Sequence, residues 1–177
     1  MIGRMLRAMR LDASLYDEVE SDAIYDRESW LVVILITVLT ALIGAVAMAI
    51  GGSQSGQAAG FGIGTFLGLI IASLLAFIAS IFVTWFIGKL LGGSGSFGEL
   101  RRAMAYAYSP NIFNAVPCLG VLVVFWYMAT TFIAVRQAHD ISNGRTALIM
   151  IITGGVQFFM TLLTSLLGLT GGMMGLF

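Results

Sequence analysis

Residues Gly92 to Pro117 read GGSGSFGELRRAMAYAYSPNIFNAVP. Both prolines of the chain, a glycine- and serine-rich turn, two arginines, two tyrosines and two asparagines crowd into this stretch. Gly92 to Gly95 make a turn. Ser96-Phe97-Gly98-Glu99 then has the S-x-x-E form of a capping box, with Ser96 at the N-cap and Glu99 answering from three residues on. The helix this predicts runs from Phe97 to about Val116, roughly 30 Å at 1.5 Å per residue, enough to cross a bilayer. Arg101 and Arg102 then fall at the lipid headgroups, Pro110 kinks the middle of the helix and Pro117 closes it. Tyr106, Ser109, Asn111 and Asn114 are placed to satisfy the carbonyl that Pro110 frees, or to bond neighbouring helices.

The chain on either side of this stretch sets it in a membrane. Hydrophobic residues make up 59% of the 177 positions and charged residues only 10%, far from the roughly 25% charged of soluble domains. Ser29 to Gly88 carries no charge at all, which accommodates spans at about 30–50 and 61–90 joined by the uncharged turn GGSQSGQAAG. Trp30 is an interfacial anchor. Along the second span every fourth residue is small: Gly60, Gly64, Gly68, Ala72, Ala76, Ser80, Thr84 and Gly88. Such a stripe lets helix backbones approach closely, so this span is expected to be the central packing helix of the bundle. Apolar runs at about 119–138 and 146–168, separated by HDISNGR, are the last two spans. The fold class is therefore an all-α membrane protein, five transmembrane helices preceded by a short amphipathic helix, with no room for a second soluble domain.

That first helix is MIGRMLRAMRL, Met1 to Leu11. Ile2, Met5, Leu6 and Met9 recur at helical spacing, with Arg4 and Arg7 opposite and Arg10 at the edge. The pattern fits a helix lying in the headgroup layer, with its arginines on anionic lipid, or one packed on a partner's soluble surface. Residues 12–28 reverse the sign, carrying seven acids against Arg27 alone. They read as a solvated acidic linker or a partner-facing surface. With five spans, all nine basic residues fall on one side, from Arg4, Arg7, Arg10 and Arg27, through Lys89, Arg101 and Arg102, to Arg136 and Arg145. This is the positive-inside pattern, with the N-terminus cytoplasmic and the C-terminus outside.

Sites for chemistry are sparse. Gly93-Ser94-Gly95-Ser96-Phe97-Gly98 matches G-x-G-x-x-G, but it lies between membrane helices with no preceding strand, so it reads as a turn and helix start. His139 is the only histidine and Cys118 the only cysteine, which excludes a paired Cys/His metal site, a disulfide within the chain and a second histidine for a catalytic set. His139 beside Asp140 is expected to hydrogen-bond at the interface or to lend mild pH sensitivity. No charge lies inside a span, and Gln157 is the most polar group at mid-membrane. No catalytic residue, metal, cofactor or nucleic-acid partner is expected.

The stretch GGSGSFGELRRAMAYAYSPNIFNAVP, the tryptophan-containing span after it and AVRQAHDISNGRTA resemble the Yip (Ypt-interacting protein) domain family, and the opening LRAMRLDASLYDEVESD resembles its bacterial members. The positions that carry the resemblance are Gly92, Gly93, Gly95, Phe97, Tyr106, Pro110, Pro117 and His139. It implies a five-span fold. Eukaryotic relatives organise membrane traffic and contact prenylated GTPases, but this chain has only a short arm where they have a long cytosolic region. The reading is a non-enzymatic scaffold or accessory subunit of a prokaryotic plasma membrane, whose partners are the bilayer and other integral membrane proteins. A transporter, channel or lipid-flux protein gated by the kinked third span is the alternative.

Overall fold

The structure is a computed structural model that describes residues 1–52, 63–116 and 119–166. Gly60 and Pro117 lie outside those residues. All regular structure among them is helical. The capping box forms: the Ser96 hydroxyl accepts from the Glu99 amide at 3.2 Å, and the Glu99 carboxylate accepts from the Ser96 amide at 2.7 Å. It opens a helix over Phe97–Ala107, here called α5.

α5 ends well short of the expected 97–116 span. Pro110 has no N–H to give the Tyr106 carbonyl, and its ring would crowd that carbonyl in a continuing helix. The chain tightens instead into a 3-10 segment, Ser109–Ala115, with proline in its first turn, where the missing donor costs nothing. Eleven residues of α5 reach only about 16 Å, half a hydrocarbon core.

Four other helices are long and apolar enough to cross: α3 (Asp26–Gly52), α4 (Ile63–Leu90), α6 (Gly120–His139) and α7 (Asn143–Leu166). α5 and the 3-10 segment run beside α6 as one hairpin. The Thr130 hydroxyl of α6 donates to the Ala107 carbonyl at 2.8 Å, and Phe113 stacks on Trp126.

The centre of the bundle belongs to α5, not to the helix with the small-residue stripe. Every residue of α5 from Leu100 to Ala107 is buried, whereas only 11% of the α4 span is buried, against 33% for α3 and α6. Small residues permit close approach, but a partner has to be present. Along the α4 stripe, the described residues cover Thr84 and Gly88, while Gly64 and Gly68 are exposed.

Two further helices, α1 (Ile2–Met9) and α2 (Ala13–Ser21), precede the spans. The expected solvated acidic linker is in fact packed structure. Asp12 caps α2 by accepting from the Ser14 amide at 3.1 Å, and Leu15, Tyr16 and Val19 are fully buried. α2 lies on α5 and α6. Three large side chains at helical spacing give this short segment an apolar face, and burying them contributes about 1.5–3 kcal/mol each.

Candidate functional site

Two constellations stand at the end of the bundle that carries the arginines. The first ties the N-terminal arm to α5. Arg102 is buried, and its Nε donates to the Val19 carbonyl at 2.9 Å, Nη1 to Asp26 Oδ1 at 2.9 Å and Nη2 to the Glu20 carbonyl. Arg101 pairs with the same Asp26 oxygen at 2.5 Å, donates to the Ser29 hydroxyl and lies over the Trp30 ring at 5.1 Å. A guanidinium can be buried when its fork of donors is met by carbonyls and a carboxylate, as here.

Above this, Arg4 bridges Glu18 and Glu28 at 2.9 and 3.0 Å, while Arg7 bridges Asp12 and Glu18 at 2.8 and 2.6 Å. Tyr106 donates to Glu28 at 2.8 Å, and the Trp126 indole donates to the Met9 carbonyl at 2.7 Å. Hydrogen bonds from Arg7 and Arg4 hold the Glu18 carboxyl below its ordinary value. Glu20 behaves in the opposite way. Burial, then repulsion from Asp140, Asp17 and Glu99, pushes its carboxyl up to about 7, with Arg102 opposing the shift. Its buried Oε2 has no hydrogen-bond partner among the described residues.

The second constellation is a seat of glycines around His139. The imidazole, at the end of α6, is fully buried, and neither ring nitrogen has a hydrogen-bond partner among the described residues. A Cβ on Gly88 would stand 2.3 Å from its Nε2, one on Gly93 would stand 2.6 Å from its Nδ1, and one on Gly95 would stand 1.7 Å from the Ala138 carbonyl oxygen. Gly92 adopts φ +85, which a side chain would strain. The loop is latched to α6 by the Ser94 amide, which donates to the His139 carbonyl at 3.1 Å, and by the Ser94 hydroxyl, which donates to Asp140 at 2.9 Å. The G-x-G-x-x-G turn is therefore filled by an imidazole ring, and the loop position expected for His139 is replaced by an enclosed one.

The remaining expected positions scatter. Phe97 meets Trp85 edge to face at 6.1 Å, and Pro110 is buried. On α4, Ala72 and Ser80 are half-buried and Ala76 is exposed, while Thr84 is buried with its hydroxyl donating to the Ser80 carbonyl. Gly64 and Gly68 have nothing within 4 Å of a built Cβ among the described residues. Of the five arginines expected at headgroups, Arg4, Arg7, Arg101 and Arg102 are engaged by acids of this chain, and Arg10 is exposed. The acids that receive them, Asp12, Glu18, Asp26 and Glu28, were not singled out in the sequence. The available signal was an acidic run with one internal cation, in a chain whose other arginines lacked partners. No three His, Cys, Asp or Glu side chains among the described residues are grouped to hold a metal ion.

No similar protein was found among curated sequences, and no similar fold among solved structures. The family model described as the Yip1 domain matches residues 17–165, which takes in α3 to α7, the glycine seat and most of α2. On that match, the chain is a polytopic membrane protein that belongs to the Yip1 domain family.

Proposed function

We propose that the protein is a non-enzymatic scaffold or accessory subunit of a prokaryotic plasma membrane that packs with other integral membrane proteins as a homo- or hetero-oligomer. The observation that carries this is the free half of the α4 stripe. A Cβ at Gly64 or Gly68 would meet nothing within 4 Å among the described residues, so a face suited to close helix approach has no neighbour among them. Mild-detergent pull-down with mass spectrometry, beside blue-native electrophoresis, tests it. Co-purifying membrane proteins or a higher oligomer, lost in Gly64→Leu/Gly68→Leu, are expected. A wild-type protein that runs only as a monomer without partners sinks the proposal.

The path we propose keeps the N-terminus cytoplasmic and crosses in α3, α4, the hairpin arm made by α5 with the 3-10 segment, α6 and α7, with the C-terminus outside. It is supported by the distribution of the cations, all of which then stay inside. Lipid headgroup contact is assigned to Arg10, since it is exposed next to the exposed Ile2 and Leu6 of α1.

The break from α-helix to 3-10 helix at Ser109–Ala115 favours one other reading, a flux protein, because helix breaks at membrane depth are tolerated where protein buries them or a wet cavity lines them. Solute or lipid flux into liposomes, abolished by Pro110→Ala, would support that reading. No flux from the wild type would dismiss it.

A further inference from the structure

A shallow apolar groove of about 560 Å³ lies between α6 and α7, walled by Met128, Phe132 and Ile133 on one side and Ala147, Met150 and Ile151 on the other. Met128 and Ile151 are exposed along it. The α6 wall advances by one helical turn from Met128 to Phe132 and then to Arg136, since residues four apart share a face. Arg136 thus ends the wall at the side of the bundle that carries Lys89 and the His139 turn. It is exposed, and no hydrogen bond or ion pair engages it among the described residues. Asp140, one turn further on, is already held by the Ser94 hydroxyl. On the α7 side, a Cβ on Gly144 would meet nothing within 4 Å among the described residues. Arg145 is turned elsewhere, its Nη1 reaching within 3.6 Å of a Cβ built on Gly92.

A shallow apolar groove with a guanidinium one helical turn beyond its wall, unengaged among the described residues, matches an amphiphile with an acidic head. Arginine suits phosphate because its planar fork of donors can bind two oxygens at once. We infer that the α6–α7 groove holds one acyl chain of a phospholipid whose phosphate is bound by Arg136. The bilayer supplies such molecules at high local concentration, so a modest preference suffices for occupancy.

Native mass spectrometry of the full chain in mild detergent tests this, with phosphatidylglycerol and a diacylglycerol of the same chains added separately. The wild type is expected to retain phosphatidylglycerol through detergent exchange. Arg136→Ala weakens phosphatidylglycerol retention about fivefold, the order expected for one arginine near an anionic lipid surface, and leaves diacylglycerol retention unchanged. Ala147→Trp, which fills the groove, reduces retention of both. Ile151→Gln places a polar group at an exposed position of the wall and repeats the second arm if Ala147→Trp fails to fold. Equal retention of both lipids in all variants overturns the proposal. So does a dimer lost in the groove variants with no change in lipid, which would give the groove to a second copy of the chain.

Discussion

Gly88 and His139 are packed so closely that a Cβ on the glycine would lie 2.3 Å from Nε2 of the imidazole. One residue sits near the end of α4 and the other at the end of α6, so the contact fastens two helices without a hydrogen bond. Gly88→Ala must displace the ring, and overpacking of this kind costs about 1–3 kcal/mol. A lower midpoint of thermal unfolding in detergent is expected, restored by the second change His139→Ala. Gly95→Ala meets a backbone oxygen, that of Ala138, at 1.7 Å. It should be the more damaging change, and His139→Ala should not rescue it.

Arg102 holds the carbonyls of Val19 and Glu20. Removing its donors leaves those groups to find water in a packed interface, a loss of about 1–3 kcal/mol. The pair with Asp26 adds less, because the Asp26 side chain is 48% exposed. Arg102→Ala is expected to speed proteolysis between residues 12 and 28 while the spans stay protected. Arg102→Lys, which lacks the fork, should recover little of that protection. Unchanged proteolysis of the arm in Arg102→Ala would show that the clamp does not hold it.

Glu20 sets a pH dependence of its own. Its carboxyl ordinarily titrates near 4.5 and is raised to about 7 in the fold. Between these values the folded chain binds a proton that the unfolded chain has released, so stability falls as pH rises through this window and levels off above it. Glu18 and Asp12, held low by their arginine and serine partners, act in the opposite sense. Their contribution is present above their ordinary values and is lost on further acidification. Glu20→Gln should raise the melting temperature at about pH 8 and change it little near pH 5. An equal effect at both would remove Glu20 as the source.

Cys118, the one cysteine, stands in the sequence between the 3-10 segment and α6. A five-crossing path brings that turn to the outer face. A membrane-impermeant maleimide added to intact spheroplasts should then label it, and Cys118→Ser should abolish the label. Labelling that appears only after permeabilisation means that the hairpin of α5 and α6 returns without crossing.

Much of the architecture was legible. Ser96 and Glu99 announced the start of α5 because a capping box is local, its bonds joining residues three apart. The end of α5 was read too far along. A proline three residues past Ala107 is compatible with a kinked helix or a stop, and here the chain stops and tightens into the 3-10 segment. The eight small residues on α4 were plain in the sequence, yet they did not reveal that Thr84 and Gly88 face inward while Gly64 and Gly68 face out. Spacing describes a face, not what covers it.

The arginines show the same division more sharply. Their positions followed a one-sided rule that suggested lipid, and the acids of residues 12–28 read as a solvated linker or a partner-facing surface. Which acid meets which arginine joins groups as far apart as Arg102 and Asp26, separated by 76 positions.

Membrane class, family and the beginning of α5 were determined by the sequence alone, because hydropathy, caps and turn residues act between near neighbours along the chain. Three things were decided only by the tertiary structure: that α5 is the enclosed centre, that the N-terminal arm is clamped to it by buried guanidiniums, and that the glycines of residues 88–95 make room for His139. Each depends on which surfaces are brought together, and burial and charge pairing take their value from that contact rather than from position in the chain.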